Sequence, residues 1–435
     1  MKRFFLTLIL SVACVAASLA QSATTEFTVN GIKVIYKPTV KNMVSVRVYF
    51  RGGVTNYSAR QAGIENLALG AIIKCGTMKH SANEFKDIAD YYDIGLSNNA
   101  ELDYSNIEMT CISKYFDKGW DLLAEAINTP IFDNSELQLL KNSITSDIKQ
   151  EESSPDKHIE QLLLKNAFEG TVYATDPDGT EASINAFTTE QLKEYYTGNM
   201  LNKSKMFIVI AGKLNSEDIM AKVKAAFSNI AFKPYREPVL EAPIWTDNRT
   251  TVEAQSLSTN YVDGILNAPA MTNPDYIPFR LGVSAFSGTL FSVLRTQHNL
   301  SYDPGAYMAN TRMPYMVMYV STTNPSEAIN LMVHELNRVK GLTLSNRGVN
   351  QIKASFITSN YMKLQSSSAI TGNLGIAEIM GGWQYFENIP TLLEQVTPDQ
   401  ITKAMQKYPI GVRWSYLGDM DAEKQCKDAF NMEVK

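Results

Sequence analysis

The sequence predicts an α+β protein made of two similar domains, and three observations lead to this fold class. Segments in which apolar and polar residues alternate are interspersed with segments of helical periodicity in both halves of the chain. One helix–strand–turn pattern occurs twice, in the same order, about half a chain apart. A proline-rich stretch lies between the two occurrences. Together these observations predict a duplication whose copies are joined by a linker.

The first half begins with a strand over 44–50, because apolar and polar residues alternate there until Gly52 and Gly53 end the run. The same two periodicities predict its other elements: helices over 62–73, 83–92, 118–127, 134–149 and 156–168, and a strand over 106–113. In the second half they predict a strand over 251–263, a helix over 275–294 and mostly strand over 306–322. Consecutive strands followed by helices favour α+β halves over a doubly wound sheet.

The repeated pattern opens with a capping box, T-T-E-Q at 188–191 and T-P-D-Q at 397–400. A Thr at the N-cap with Gln three residues later marks a helix start, because each side chain accepts a hydrogen bond from a free backbone N–H of the other. A strand and a turn with glycine follow in both places, at Gly212 and Gly418. The separations are similar, 400 − 191 = 209 and 418 − 212 = 206 residues. We therefore expect domains over 21–230 and 246–435, with a linker over 231–245.

The chain starts with features of an exported protein. A basic start at Met1–Arg3 precedes an apolar run over 4–17 and a small-residue exit at Ala20, which predicts a secretory signal peptide over 1–20. The run is shorter than the roughly 20 residues that span a bilayer. A lipid anchor at Cys14 is less favoured, because Ser11 stands where lipoprotein signals usually have Leu. We expect a periplasmic or otherwise exported protein.

Composition limits the classes of function. The net charge of −5 gives no basic surface for nucleic acid, and no second apolar stretch is predicted to be transmembrane. The mature chain would keep an odd number of cysteines, Cys75, Cys111 and Cys426, which does not suggest a disulfide framework. Small buried thiols are the more economical interpretation.

The segment 63–77 (GIENLALGAIIKCGT), which follows the strand end F-R-G-G, resembles the opening of the pitrilysin/insulinase family of zinc peptidases. In that family such a strand leads into a helix with H-x-x-E-H, whose two His bind zinc while the Glu acts as general base. Here Asn66 and Gly70 stand at the His positions and Leu69 at the Glu position. The resemblance covers about residues 24–430 and implies two α+β domains that face each other around a chamber.

The family's third zinc ligand, an acid about 76 residues after the second His, corresponds to Asp147, at 147 − 70 = 77. Taken by itself, Asp147 is more consistent with a solvated surface charge. No two of the four His residues have i, i+4 spacing, and no nucleophile motif replaces the metal site. We therefore expect no zinc in this chain and no peptidase activity from the chain alone.

Two further segments match the family. Arg295 and Tyr302 lie seven residues apart around a turn, as does the family's second-half pair, which contacts substrate at the zinc site. Asn299 replaces the turn glycine and also tolerates a positive φ. The other interpretation of the pair is a helix-end Arg and a Tyr in a strand core. Asn99 and Ala100 resemble the family's edge strand, where substrate peptides pair, although an ordinary strand start explains them equally well.

The resemblance implies a non-catalytic subunit that supplies Arg295 and Tyr302 to peptide hydrolysis by a similar, zinc-bearing partner, in a heterodimer. Zinc is then expected in the partner and not in this chain. One alternative is a peptide-binding or scaffold protein of the same fold without peptidase activity. A weaker one is an independent hydrolase with unrecognised residues. The sequence does not identify the peptide substrate or the partner.

Overall fold

The structure, a computed structural model, describes residues 23–435. The predicted signal peptide and Cys14 lie outside the described residues. Within them, two β-sheets of the same topology are each covered by helices on both faces, so the predicted two-domain α+β fold is confirmed.

The first sheet contains six strands in the order β1-β2-β6-β3-β5-β4. Their bounds are β1 Thr25–Val29, β2 Ile32–Pro38, β3 Met43–Arg51, β4 Gly95–Ala100, β5 Tyr104–Ile112 and β6 Met206–Gly212. β2 and β6 are parallel and all other neighbours are antiparallel. Because β4 is at the end of this order, one of its edges is not paired with another strand.

The second sheet repeats this arrangement in the order β7-β11-β8-β10-β9. Its strands are β7 Arg249–Ala254, β8 Asn260–Asn267, β9 Gly305–Met308, β10 Tyr315–Thr322 and β11 Arg413–Gly418. β7 and β11 are parallel and the other pairs antiparallel. Strands β2, β6, β3, β5 and β4 therefore correspond one by one to β7, β11, β8, β10 and β9, which is the topology of a duplicated domain.

Helices connect the strands of each half. The first half has α1 Ile64–Lys74, α2 Ala82–Tyr91, α3 Phe116–Asn128, α4 Asn134–Glu152, α5 Pro155–Ala167, α6 Glu181–Ala186, α7 Thr189–Tyr195 and α8 Ser216–Phe227. The second has α9 Tyr276–Leu290, α10 Pro325–Gly341, α11 Asn346–Lys363, α12 Ser367–Met380, α13 Gln384–Gln395, α14 Pro398–Lys407, α15 Met420–Lys424 and α16 Lys427–Phe430. Both predicted capping boxes are formed, at the starts of α7 and α14.

Each half contributes one helix that packs on the sheet of the other half. Helix α5 of the first half packs on strands β8 and β11 of the second sheet, and α12 of the second half packs on the corresponding strands β3 and β6 of the first. Tyr49, Phe207 and Val209 of the first sheet are thus buried in the hydrophobic core of the second half. Each sheet depends on the other half for the cover of one face.

Two predicted elements differ from the structure. The single strand predicted over 251–263 is wrong, since residues 255–259 interrupt it and separate β7 from β8. The helix predicted over 275–294 ends as α9 and continues as a π-helix, Phe291–Gln297. Together Tyr276–Gln297 are long and apolar enough to cross a membrane by length and composition, although half of this stretch is buried in the fold. Packing, and not composition, therefore identifies it as a core helix.

The segment 231–247 forms neither helix nor strand. It is nevertheless attached at its end: the Trp245 side chain is buried against Phe168, and its backbone N–H donates to the Asn267 side chain over 2.8 Å. The proline-rich stretch therefore runs along the molecule and ends in a docked tryptophan. Cys75, Cys111 and Cys426 are free and buried, as predicted.

Candidate functional site

Helix α1 carries the segment that resembles a zinc motif. It begins after Gly63, whose φ of 82° is in the left-handed region, where a Cβ would meet the backbone of Asp178 and Gly179. The helix packs against α4 and β4, and all its residues except Asn66 and Lys74 are buried. It is therefore a core helix that exposes little surface for chemistry.

At the first His position, Asn66 connects two neighbouring segments by side-chain hydrogen bonds. Its amide oxygen accepts from Asn98 Nδ2 at 2.9 Å, and its own Nδ2 donates to Asp178 Oδ1 at 3.0 Å. This chain of amides joins β4, α1 and the turn before α6. An amide nitrogen is not a zinc ligand, so the arrangement holds the strand and the turn to the helix instead of a metal.

The other two motif positions are filled by packing. Leu69 is fully buried in the hydrophobic core of the first half, where a carboxylate would have no water to activate. At Gly70 an added Cβ would lie 3.2 Å from Leu140 Cδ2 and 3.7 Å from Asn98 Oδ1. Helix α4 therefore approaches α1 so closely that the space of a second imidazole is occupied by Leu140.

Asp147 is exposed on α4, on the solvent side of the helix, whereas Leu140 and Ile148 are buried. Among residues 23–435 no group of three His, Cys, Asp or Glu side chains is arranged to hold a metal ion. The residues in this part of the fold do not fit a zinc ion, since neither imidazole is present and the one carboxylate in register lies outside the packed helix pair.

Sequence reasoning missed the acidic group that faces Asn66. Burial raises the pKa of Asp178 to about 7, and the negative charges of Asp176 and Glu151 act in the same direction. The D-P-D-G turn at 176–179 indicates a tight turn in the sequence, but nothing in it predicts contact with residue 66, which is 112 residues away. The hydrogen bond from Asn66 is the polar contact that compensates part of this burial.

A second missed group is Glu65, the residue before Asn66. Its buried carboxylate accepts hydrogen bonds from Ser105 Oγ at 2.8 Å, Asn56 Nδ2 at 2.9 Å and the Tyr195 hydroxyl at 2.9 Å. Burial raises its pKa. These contacts of Glu65 anchor α1 to β5 and α7. The residues next to Glu65 in the sequence do not predict them, because the partners lie on other elements.

Arg295 and Tyr302 are in direct contact. The Arg295 guanidinium carbon lies 4.2 Å from the centre of the Tyr302 ring and 4.8 Å from that of Phe291, which is a cation–π stack. Tyr302 is 79% exposed and lies in the loop before β9, so the alternative of a Tyr in a strand core is wrong. The Tyr302 hydroxyl is therefore at the surface, where it can reach another molecule, and Arg295 is half-buried between the two rings.

The turn between them has the expected backbone. Asn299 adopts a φ of 51°, in the left-handed region, and the following N–H of Leu300 donates to the carbonyl of Leu294 over 2.7 Å. The π-helix and this turn place Arg295 over Tyr302. Within residues 23–435, no hydrogen bond, ion pair or aromatic contact joins this pair to Asn66, Gly70 or their neighbours.

Strand β4, with Asn99 and Ala100, is the edge strand of the first sheet. Ala100 is buried, and Asn99 is exposed and donates from Nδ2 to Glu101 Oε1 at 2.9 Å. The strand pairs with β5 on one side, in register Asn99 with Asn106. An open edge next to α1 is the geometry that backbone pairing with an extended peptide needs.

Comparisons with known proteins agree with this fold. A family model described as insulinase (peptidase family M16) matches residues 33–176, and one described as peptidase M16 inactive domain matches 186–356. The chain is 24% identical to a non-peptidase homolog of Helicobacter pylori, over 70% of this chain and 71% of that protein. It is 23% identical to the mitochondrial-processing peptidase subunit beta of Dictyostelium discoideum, over 58% and 54% respectively.

A solved structure described as a peptidase M16 inactive domain from Pseudomonas fluorescens has the same fold, with a TM-score of 0.82 and 19% identity over 92% of this chain and 99% of that one. The first matched region lies within the first half, and the second runs from the end of α6 in the first half into α11 of the second half. The chain belongs to the insulinase (M16) peptidase family, among the members that no longer carry the residues of peptidase chemistry.

Proposed function

We propose that this chain is the non-catalytic subunit of an M16-type zinc peptidase and supplies Arg295 and Tyr302 to a chamber shared with a zinc-bearing partner. The observation that carries the proposal is the Arg295–Tyr302 stack, in which Tyr302 is exposed and Arg295 half-buried, in a chain whose zinc positions are filled by Asn66 and Gly70. A guanidinium and a phenol both donate hydrogen bonds, which is what a substrate carbonyl requires as negative charge develops on it.

The partner is a second chain of the same family with an intact H-x-x-E-H helix. The similarity to a mitochondrial-processing peptidase subunit beta supports a multi-subunit role, because that relative is itself one subunit of a peptidase. In such a pair the zinc ion belongs to the partner, and this chain contributes hydrogen-bond donors and part of the wall. The proposed location is periplasmic or otherwise exported, and its support is the signal-like sequence at residues 1–20.

The test is to co-express the chain with a zinc-motif partner, purify the complex and measure peptide cleavage. Wild type is compared with Arg295→Ala and Tyr302→Phe, and with Arg347→Ala and Tyr361→Phe as matched controls, because Arg347 and Tyr361 are also exposed. We expect each of the first two variants to lower the rate about 10²–10³-fold and the controls to leave it unchanged. Full activity of both variants in an intact complex would exclude the mechanism.

The alternative is a peptide-binding or scaffold protein without peptidase activity. The open edge of β4 favours it, because an extended peptide can extend the first sheet there in the lone chain. Fluorescence anisotropy with labelled peptides tests it. Binding by the isolated chain, with no zinc-motif chain co-purifying from cells, would favour the scaffold over the subunit.

A further inference from the structure

A cavity of about 80 Å³ lies among helices α9, α11, α12 and α13 of the second half, far along the chain from the degenerate zinc motif. Its wall contains two cationic side chains, Arg280 of α9 and Lys363 of α11, and no Asp or Glu. Within residues 23–435 neither cation forms an ion pair with a carboxylate. The two cationic side chains thus line one cavity in which the described chain supplies no counter-ion.

Arg280 is held in place by aromatic rings. Its guanidinium carbon lies 5.3 Å from the centre of the Phe356 ring and 6.0 Å from that of Tyr276. The Tyr276 hydroxyl donates to the side chain of Asn310, which also lines the cavity. Ring faces attract a cation but leave its N–H groups free to donate, so the guanidinium is positioned and still open to a ligand.

The other polar wall groups are also donors. Asn360 is 8% exposed, and its side chain forms no hydrogen bond with the rest of the described chain although it faces the cavity. Lys363 is half-buried, and burial together with the charge of Arg280 lowers its pKa. The Asn360 amide therefore remains available to a ligand, and an incoming acceptor would remove the free-energy cost of holding Lys363 charged beside Arg280.

We propose that this cavity binds a small oxyanion, a carboxylate or a phosphate group. A metal ion or an organic cation would add positive charge to two uncompensated cations, and an apolar group would leave both unsolvated. An oxyanion accepts from Arg280, Lys363 and Asn360 together, in charge-assisted hydrogen bonds. The volume is several times the roughly 10–15 Å³ that one water needs by this measure, which suits a single anionic group and excludes a folded partner.

Two sources provide this chemistry: free phosphate and the carboxyl terminus of a peptide. The experiment uses isothermal titration calorimetry on the full mature chain at constant ionic strength, with sodium phosphate against sodium chloride as one arm. The second arm compares an acetylated tripeptide that has a free carboxyl terminus with its amide. Binding of phosphate alone identifies a free ion as the ligand, and binding of the acid but not the amide identifies a peptide terminus.

Lys363→Met keeps the length of the side chain and removes the charge. We expect it to melt at or above the temperature of wild type in anion-free buffer, since an uncompensated cation is lost, and to bind the anion at least about tenfold more weakly. Arg280→Gln should weaken binding similarly, whereas Arg347→Gln, an exposed residue of the same helix as Lys363, should not. Failure of both probes to bind, or equal affinity of wild type and a folded Lys363→Met, would overturn the proposal.

Discussion

Arg47 and Asp263 occupy equivalent positions in the two sheets, a base in the first half and a buried acid in the second. Arg47 is in register with Val209 of β6, and Asp263 with Ser415 of β11, and 415 − 209 = 206 is also the offset of the two glycine turns. Arg47 binds Glu108, the residue opposite it on β5, at 2.8 Å. In the second half Asp263 is in register with Tyr319 on the corresponding strand, and no described residue donates a hydrogen bond to its carboxyl group or forms an ion pair with it.

This difference predicts a pH dependence of stability. Burial raises the pKa of Asp263 to about 8, and the charges of Glu160 and Asp156 act in the same direction. The unfolded pKa is about 3.9, so the folded state binds the extra proton between these values, and the stability it contributes is lost as pH rises through 8. Urea titrations measure the free energy of unfolding at each pH. In Asp263→Asn this free energy should decline less between pH 5 and 8 than in wild type, and at pH 8.5 it should exceed the wild-type value by about 2–5 kcal/mol.

Asp303→Asn is the control for that measurement. Asp303 and Asp263 line one surface cavity together with Asp156 and Glu160, but Asp303 is exposed. In Asp303→Asn the free energy of unfolding should change with pH as it does in wild type. Equal slopes for wild type and Asp263→Asn would mean that Asp263 is ionised in the folded chain at neutral pH.

Reconstruction of the His and Glu positions should not restore a zinc site by itself. Asn66→His, Leu69→Glu and Gly70→His together add volume where Leu140 already lies 3.2 Å from the Cβ position of residue 70, and they place a carboxylate in the core. We expect the triple variant to lose at least about 3 kcal/mol of unfolding free energy. Adding Leu140→Ala should recover part of the loss that Gly70→His causes alone, which guanidinium titrations of the single and double variants will show.

Metal analysis of dialysed protein completes this test. We expect wild type and the triple variant each to retain less than about a tenth of a zinc ion per chain, because neither has a complete set of zinc ligands in place. A triple variant that folds as stably as wild type and retains one zinc ion would show that the space next to α1 is larger than the structure indicates.

Arg295 and Tyr302 should contribute little to the stability of the lone chain. Tyr302→Phe keeps the ring that stacks on the guanidinium and removes a hydroxyl exposed to water, so the free energy of unfolding should change by less than about 0.5 kcal/mol. Tyr302→Ala removes the stack and should cost about 0.5–1 kcal/mol. A loss above 2 kcal/mol for Tyr302→Phe would assign the pair a structural role.

Tyr173 joins the two halves through a buried hydrogen-bond cluster. Its hydroxyl donates to Asp103 Oδ1 at 2.6 Å and accepts from the backbone N–H of Arg312 and Met313 at 3.0 and 3.2 Å. Tyr173→Phe leaves these groups buried without that partner, so it should destabilise the chain by about 1–3 kcal/mol. Urea unfolding measures this effect, with the exposed Tyr91→Phe as control; equal midpoints for the two variants would contradict it.

The sequence predicted the parts of this molecule that depend on local patterns. Capping boxes define α7 and α14 because the bonds lie within four residues, and Asn299 was identified because positive φ is a property of single residues. It failed at residues 255–259, because no Gly or Pro marks the break that separates the two strands there. The partners of Asn66 and Glu65 lie on other elements, and no spacing rule connects them.

The helix exchange between the halves has a consequence for synthesis. Strand β6 ends at Gly212, but α12, which covers it, ends at Met380, so 380 − 212 = 168 further residues must be made before the first sheet can close. At about 5–20 residues per second this takes roughly 10–30 s, during which Tyr49, Phe207 and Val209 lack their cover. Domains usually fold as they leave the ribosome, but here the first half is completed only when nearly the whole chain has been made. A chain truncated before residue 367 would lack α12 and would leave an apolar face of the first sheet open to aggregation.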